Sequence, residues 1–241
     1  MAQIGKRDST LRKQASRWAL VVGALWVAWA GAVWYALQPM KPVLCVALLL
    51  ALIALGHLTN ISRISIDGYL FGERRVFGAL RRLPDEYWLF NDIVVPWKAE
   101  GPQIDHVVVS RAGVWCVETK SRVGMVFGKE RERNWTQVKY SDSGRRHTSK
   151  MYNPIRQNET HCRALAAHLD QELGLRPPVK SLVVFTSGKL QVESETPVVK
   201  LPEVVETIVA CDHTATVSEE DMAKIVALLA GPKEEGEAPT A

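Results

Sequence analysis

A chain of 241 residues with 30 Lys and Arg against 26 Asp and Glu carries a formal charge of +4, and it is long enough for one well-buried domain plus something more. From residue 59 onward 24 basic residues face 25 acidic ones, so the bulk of the chain is not globally basic, and the excess in the N-terminal tail suits topology and anionic lipid. The four cysteines, Cys45, Cys116, Cys162 and Cys211, are far apart with no Cys-x-x-Cys or Cys/His spacing, which excludes a zinc module and fits small apolar residues in a reducing compartment.

Residues 18–37, WALVVGALWVAWAGAVWYAL, contain no charge; at about 1.5 Å per residue a helix of that length crosses a hydrocarbon core of roughly 30 Å. A second apolar run, Val43–Leu58, is shorter and spans only if it begins near Met40 or the bilayer thins locally. Gln38-Pro39-Met40-Lys41-Pro42 leaves room for a tight turn between them, so the sequence predicts a transmembrane hairpin over 18–58. Lys6, Arg7, Arg12, Lys13 and Arg17 precede the first run and Arg63, Arg74 and Arg75 follow the second, whereas Lys41 stands alone in the loop. The positive-inside rule then places the basic tail 1–17 and the C-terminal domain on the cytoplasmic side of an integral membrane protein. A cleaved signal peptide is the competing reading, opposed by the length of the run, the lack of a small-x-small site and the second apolar segment.

The expected domain covers 59–230. Val76, Phe77, Leu80 and Leu83 repeat at helical spacing up to Pro84, and Glu73 falls on that apolar face instead of the solvent face. Glu73 is either a first-turn acid favoured by the helix dipole or a site residue. Apolar or alternating segments follow at Tyr87–Val95, Gln103–Ser110, Val114–Lys120 and Met125–Gly128, separated by Pro and Gly signals. They predict a meander of about four strands, then a mobile polar loop around Ser141–Lys150. Asn153-Pro154 caps a helix with Ile155, Cys162, Leu165, Ala166 and Leu169 inward, ended by Gly174 and Pro177-Pro178. Val179–Thr186 supplies a strand after a crossover helix, Ser218 caps a last helix through Leu229, and residues 231–241 form a disordered tail. The sum is an α/β domain with a mixed central sheet.

Charge in the strands marks the chemistry. With a tight turn at Arg111-Ala112, facing positions sum to 223, which sets Asp105 opposite Glu118 with side chains about 5 Å apart on one face; a bulge at Gly113 would slip this by one residue. Lys120, two residues beyond Glu118, shares the face. Two such carboxylates require a proton or a cation between them. Hard oxygen ligands suit Mg²⁺ or Mn²⁺, and a metal so held can polarise a phosphoryl oxygen and acidify a water, with Lys120 stabilising negative charge. An ion pair of Lys120 with either acid at a sheet edge is the alternative. Residues 120–163 hold 11 basic and 4 acidic residues, a positive face for a polyanion or a solvated loop.

Asp105 followed by Glu118-Thr119-Lys120 across a hairpin resembles the core of the PD-(D/E)xK nuclease superfamily. Gly72-Glu73 opening a helix, Gln103-Ile104-Asp105-His106, Gly113-Val114, Gly124, Trp135 and Asn153-Pro154-Ile155 with Gln157 extend the likeness. As an ordered set over about residues 68–170 they resemble the nuclease-related domain (NERD) family. The resemblance implies a restriction-endonuclease-like core and a Mg²⁺- or Mn²⁺-dependent nuclease. It also implies that the helical Glu73 joins Asp105 and Glu118 at the metal, and that Gln157 lies near metal or substrate phosphate. The Pro that usually precedes the Asp is absent, but the Asp supplies the chemistry. His106 points to the opposite face from Asp105 and reads as a core histidine rather than a base; His161, one helical turn past Gln157, stands within reach of substrate. Three readings follow: a membrane-tethered phosphodiesterase acting on DNA or RNA, a non-catalytic nucleic-acid-binding or adaptor module anchored to the membrane, and a scaffold whose membrane hairpin oligomerises.

Overall fold

The computed structural model describes residues 1–7, 10–36, 50–51, 55–56, 71–97 and 101–231. They divide into two units, one of Met1–Asp8 with Gly72–Ala241 and one of Ser9–Phe71.

In the Ser9–Phe71 unit, helix α1 (Thr10–Ala36) covers the first apolar run as far as Ala36. Trp26 and Trp29 meet edge to face within it, ring centroids 5.7 Å apart. Among the described residues no helix is long and apolar enough to cross a membrane; the part of α1 with described side chains, residues 21–35, is shorter than the roughly 20 residues a span needs. The second expected span, Val43–Leu58, lies almost wholly outside the described residues, as does the expected disordered tail beyond Gly231.

The other unit is built on a mixed six-stranded sheet. The strands β1 (Gln3–Arg7), β2 (Trp88–Val94), β3 (Gln103–Ser110), β4 (Gly113–Lys120), β8 (Val179–Phe185) and β10 (Val198–Lys200) lie side by side in that order. β2, β3 and β4 are antiparallel neighbours, whereas β8 runs parallel to β4. A parallel neighbour needs a crossover, and helix α3 (Pro154–Leu173) provides it. Helices cover both faces, so the central strands are buried on both sides and read as nearly continuous apolar runs. On one face Leu89, Val108, Trp115, Val117, Leu182 and Val184 pack against Val76, Leu80 and Leu83 around helix α2 (71–80) and against Val204 and Ile208 of helix α4 (Val204–Cys211). On the other, Phe90, Val107, Val109, Val114 and Cys116 meet Leu165 and Leu169 of α3 and Ile225 and Leu229 of helix α5 (Glu219–Ala230). Through the β3–β4 hairpin, from Val107 to Val117, the two faces follow the parity of residue number. At the hairpin end of the sheet the buried Asp212 carboxylate accepts from Ser110 Oγ (2.8 Å), Trp115 Nε1 (3.1 Å) and Lys180 Nζ (2.7 Å). That pins the end of α4 to the β3–β4 turn.

The expected meander breaks after Lys120. Its fourth strand, β5 (Met125–Lys129), leaves the main sheet and founds a second one, in the order β7 (Arg146–Tyr152), β6 (Asn134–Tyr140), β5 and β9 (Lys189–Glu193). The segment expected as a mobile loop is thus the tip of a hairpin and most of β7. In β7 only Met151 is buried, so this edge strand carries no apolar alternation to betray it. One face of the second sheet packs Val126, Trp135 and Met151 against Ile155, Val183 and Phe185. Trp135 stacks on Phe185 at 6.5 Å and donates its indole N–H to the Lys129 carbonyl at 3.0 Å.

Asn153 joins this sheet to α3. Its side chain accepts from Ile155 N as the N-cap, and its amide donates to the carbonyls of Glu130 and Glu132 at 2.8 and 2.7 Å. Trp135 lies so close over β5 that a Cβ at Gly128 would fall 2.3 Å from its ring. Gly128→Ala is expected to destabilise the fold by about 1–3 kcal/mol through overpacking, read as a lower urea midpoint with unchanged slope; an unchanged midpoint would contradict this packing.

Candidate active site

β3 and β4 pair from Ser110↔Gly113 to His106↔Val117, so Arg111 and Ala112 form a two-residue turn. Gly113 takes φ +124°, and a Cβ there would meet the Pro178 carbonyl at 2.4 Å; a side chain fits neither the dihedral nor the space. The register does not slip as far as His106↔Val117, and Asp105 and Glu118 are the next residue on each strand. Both are buried, Asp105 6 % exposed and Glu118 0 %. Glu118 continues the alternation of Val114 and Cys116 on the face that α3 covers, and its charge reaches Asp105.

Each carboxylate has a different set of neighbours. Asp105 Oδ2 accepts the backbone N–H of Thr119 at 2.8 Å, fixing it to β4. Glu118 Oε1 accepts from Lys120 Nζ at 2.5 Å, and the same ammonium donates to Gln157 Oε1 at 3.0 Å. Glu118 Oε2 lies 3.3 Å from His161 Nδ1, off the hydrogen-bonding line but close enough for charge attraction. Gln157 and His161 stand four residues apart on α3, hence on one helix face. Glu73, in the first turns of α2, is 8 % exposed, and its charge reaches Asp105. The structure thus brings together Glu118, Lys120 and Gln157 by direct contact, and Asp105 and Glu73 electrostatically.

These neighbours drive the two acids apart. Burial, then the charges of Glu118 and Glu73, push the Asp105 carboxyl well above its usual range, and the Thr119 N–H and Lys120 only partly oppose them. Burial also pushes Glu118 upward, but His161 and Lys120 outweigh it and hold that carboxyl below its usual range. One acid is therefore prone to keep a proton while its neighbour stays ionised, the division of roles that acid–base pairs exploit. Among the described residues no three His, Cys, Asp or Glu side chains cluster into a ready cage for a metal. Mg²⁺ needs only one or two carboxylates and keeps several waters, so the Asp105–Glu118 pair, short of positive charge at Asp105, fits such an ion.

His106 stands on the opposite face, Nδ1 2.6 Å from Asn91 Oδ1, and burial drives its pKa down to about 3 although Glu118 pulls the other way. It is a neutral, hydrogen-bonded core histidine. Two further neighbours border the site, of which the sequence placed only His161, within reach of substrate. His161 turns toward Glu118, a contact foreshadowed only by its spacing from Gln157. Asn158, fully buried, donates to the Cys116 carbonyl (2.8 Å), Ser181 Oγ (2.9 Å) and the Leu182 carbonyl (3.2 Å); it clamps α3 onto β4 and β8. A polar residue on the inward face of a helix was its signal.

The Asp105 shift has a defined sign. A carboxyl whose folded pKa is raised stabilises the fold below its unfolded pKa, about 3.9, and loses that contribution as pH rises through the folded value. Asp105→Asn keeps an acceptor for Thr119 and removes the charge. It is expected to raise the thermal midpoint at pH 8 and change it little at pH 4; an equal effect at both values would contradict the raised pKa.

Comparison with known proteins falls on this region. The family model described as nuclease-related domain, NERD, matches residues 70–186. A curated Bacillus anthracis protein, described as uncharacterized, is 34 % identical over 116 residues, covering 47 % of this chain and 50 % of that protein. The chain thus spans half the length of that relative, and no solved structure matches. Over residues 70–186, which enclose Glu73, Asp105, Glu118, Lys120 and Gln157, the chain is similar to the nuclease-related domain family.

Proposed function

We propose that the domain is a metal-dependent nuclease hydrolysing phosphodiester bonds of DNA or RNA, tethered by residues 18–58 to the cytoplasmic face of a membrane. The observation that carries the nuclease reading is the buried Asp105–Glu118 pair with Lys120 set between Glu118 and Gln157. Asp105 and Glu118, with Glu73 nearby, would hold Mg²⁺ or Mn²⁺. Bound there, the ion would polarise a phosphoryl oxygen and lower the pKa of a water.

The chain's own groups supply the rest. The Thr119 N–H fixes the orientation of Asp105, so its free energy of positioning is met before substrate arrives. The Lys120 ammonium donates to the phosphoryl oxygens as negative charge grows on them, and Gln157 holds it in place without neutralising it. His161 beside Glu118 Oε2 keeps that carboxylate ionised. The basic stretch 120–163 attracts the phosphate backbone, an attraction that weakens with salt. One observation favours a non-catalytic nucleic-acid-binding or adaptor module: Lys120 already neutralises Glu118 at 2.5 Å, which satisfies part of the cluster with no ion.

The 241-residue chain in detergent, incubated with single- and double-stranded DNA and RNA, is expected to cleave only with Mg²⁺ or Mn²⁺. Asp105→Asn and Lys120→Ala should each lower the rate by about 10²–10³-fold, with Gln157→Ala milder. Cleavage equal in wild type and variants, or absent throughout, would favour the binding module. For the tether, the chain is expected to stay with membranes after alkaline carbonate washing and to leave them when residues 18–58 are deleted; release of the intact chain would overturn it.

A further inference from the structure

The second sheet has two unlike faces. The face described above is packed; the other is set by the register Phe127↔Thr136↔Lys150 and Tyr140↔Arg146. By strand alternation it presents Arg146, Thr148, Lys150 and Tyr152 along β7, with Tyr140 directly across from Arg146. All of these are exposed, and the two tyrosines strongly so for aromatic residues, Tyr140 at 65 % and Tyr152 at 50 %. Phe127, half-buried, lies between them on β5. Six strand positions separate Arg146 from Tyr152, so the rings stand about 20 Å apart with Lys150 between them. Glu193, the acid on this face from β9, is already paired with Lys129 at 2.8 Å, so it does not cancel Arg146 or Lys150.

Val138 on the same face is buried, so the open part is β7 with Tyr140 across from it; exposed aromatic rings alternating with cations there match one chemistry. Unpaired bases offer π-faces that stack on tyrosine, and the phosphates between them meet Lys and Arg. A duplex hides its base faces and would engage the cations alone. The sheet also leads into the site at both ends: Lys120 precedes β5 by a short turn, and β7 runs through Asn153 into α3, which carries Gln157. Building on the nuclease reading, we propose that this face of the second sheet is a binding platform for single-stranded nucleic acid, with bases stacked on Tyr140 and Tyr152 and phosphates held by Arg146 and Lys150, so that the preferred substrate is single-stranded.

Fluorescence anisotropy with labelled dT and rU 15-mers and a duplex of equal length, in EDTA, tests this on the full 241-residue chain. Single strands are expected to bind more tightly than duplex. Tyr140→Ala and Tyr152→Ala should each weaken single-strand binding about tenfold, while Tyr→Trp at either position preserves it. Arg146→Ala with Lys150→Ala should reduce the log–log salt slope by about 1.4. Tyr140 lies at the far end of the hairpin from α3, so its variant decides the matter even if Tyr152→Ala fails to fold. Duplex binding as tight as single strand, or unchanged binding in Tyr140→Ala, overturns the platform, as does a face that binds only phosphatidylserine vesicles. Because EDTA silences metal-dependent cleavage, strong single-strand binding by a chain that never cleaves would overturn the nuclease reading and leave the platform standing.

Discussion

Two carboxylates buried within electrostatic reach of each other set the character of this domain's site. Asp105 and Glu118 sit on adjacent strands of a sheet covered on both faces, where the dielectric is low and repulsion between like charges is large. The surrounding structure compensates only one of them fully. Lys120 and His161 converge on Glu118, whereas Asp105 has a single backbone N–H and a further acid, Glu73, within electrostatic range. Asp212, at the other end of the same sheet, makes the contrast plain: that buried carboxylate accepts from three donors and reads as structural. Ionising both without a cation would cost several kcal/mol, which is why one acid is prone to keep a proton while the other stays ionised.

The topology explains why the cluster assembles where it does. Antiparallel pairing of β3 and β4 brings Asp105 within electrostatic reach of Glu118, and the parallel step from β4 to β8 obliges the chain to cross over through α3. That crossover lays Gln157 and His161 over the strand ends. Asn158 then binds α3 to the carbonyls of Cys116 and Leu182, so the helix that completes the cluster is fixed by hydrogen bonds and apolar packing together. α2 approaches from the opposite face, and a Cβ at its Gly72 would lie 3.2 Å from the Ser121 side chain, which places Glu73 beside the end of β4.

The legible part of this arrangement was the part governed by period-two alternation and tight-turn arithmetic. Val107, Val109, Val114 and Cys116 mark strands outright, and the two-residue turn at Arg111-Ala112 fixes which acid faces which. Helix α3 was legible from Asn153-Pro154 and Gly174. Gln157 and Glu73 were suggested by resemblance, and the oddity of an acid on an apolar helix face supported Glu73. The second sheet was not legible. β7 exposes all its side chains but Met151, β6 mixes exposed and buried positions, β9 and β10 are short, and β5 changes sheets at a turn that carries no hydrophobic signal. Hydrogen bonds that join distant segments, such as Asn158 to β4 and β8, leave no local pattern at all.

Asn153 has a mechanical consequence. One buried amide both caps α3 and grips the two carbonyls of the turn between β5 and β6. The second sheet and the helix therefore cannot shift independently: a displacement of that turn pulls on the start of α3, four residues from the glutamine that steadies Lys120. The joint behaves as a lever with a short arm, and whatever settles on the sheet adjusts the position of the ammonium at the acids.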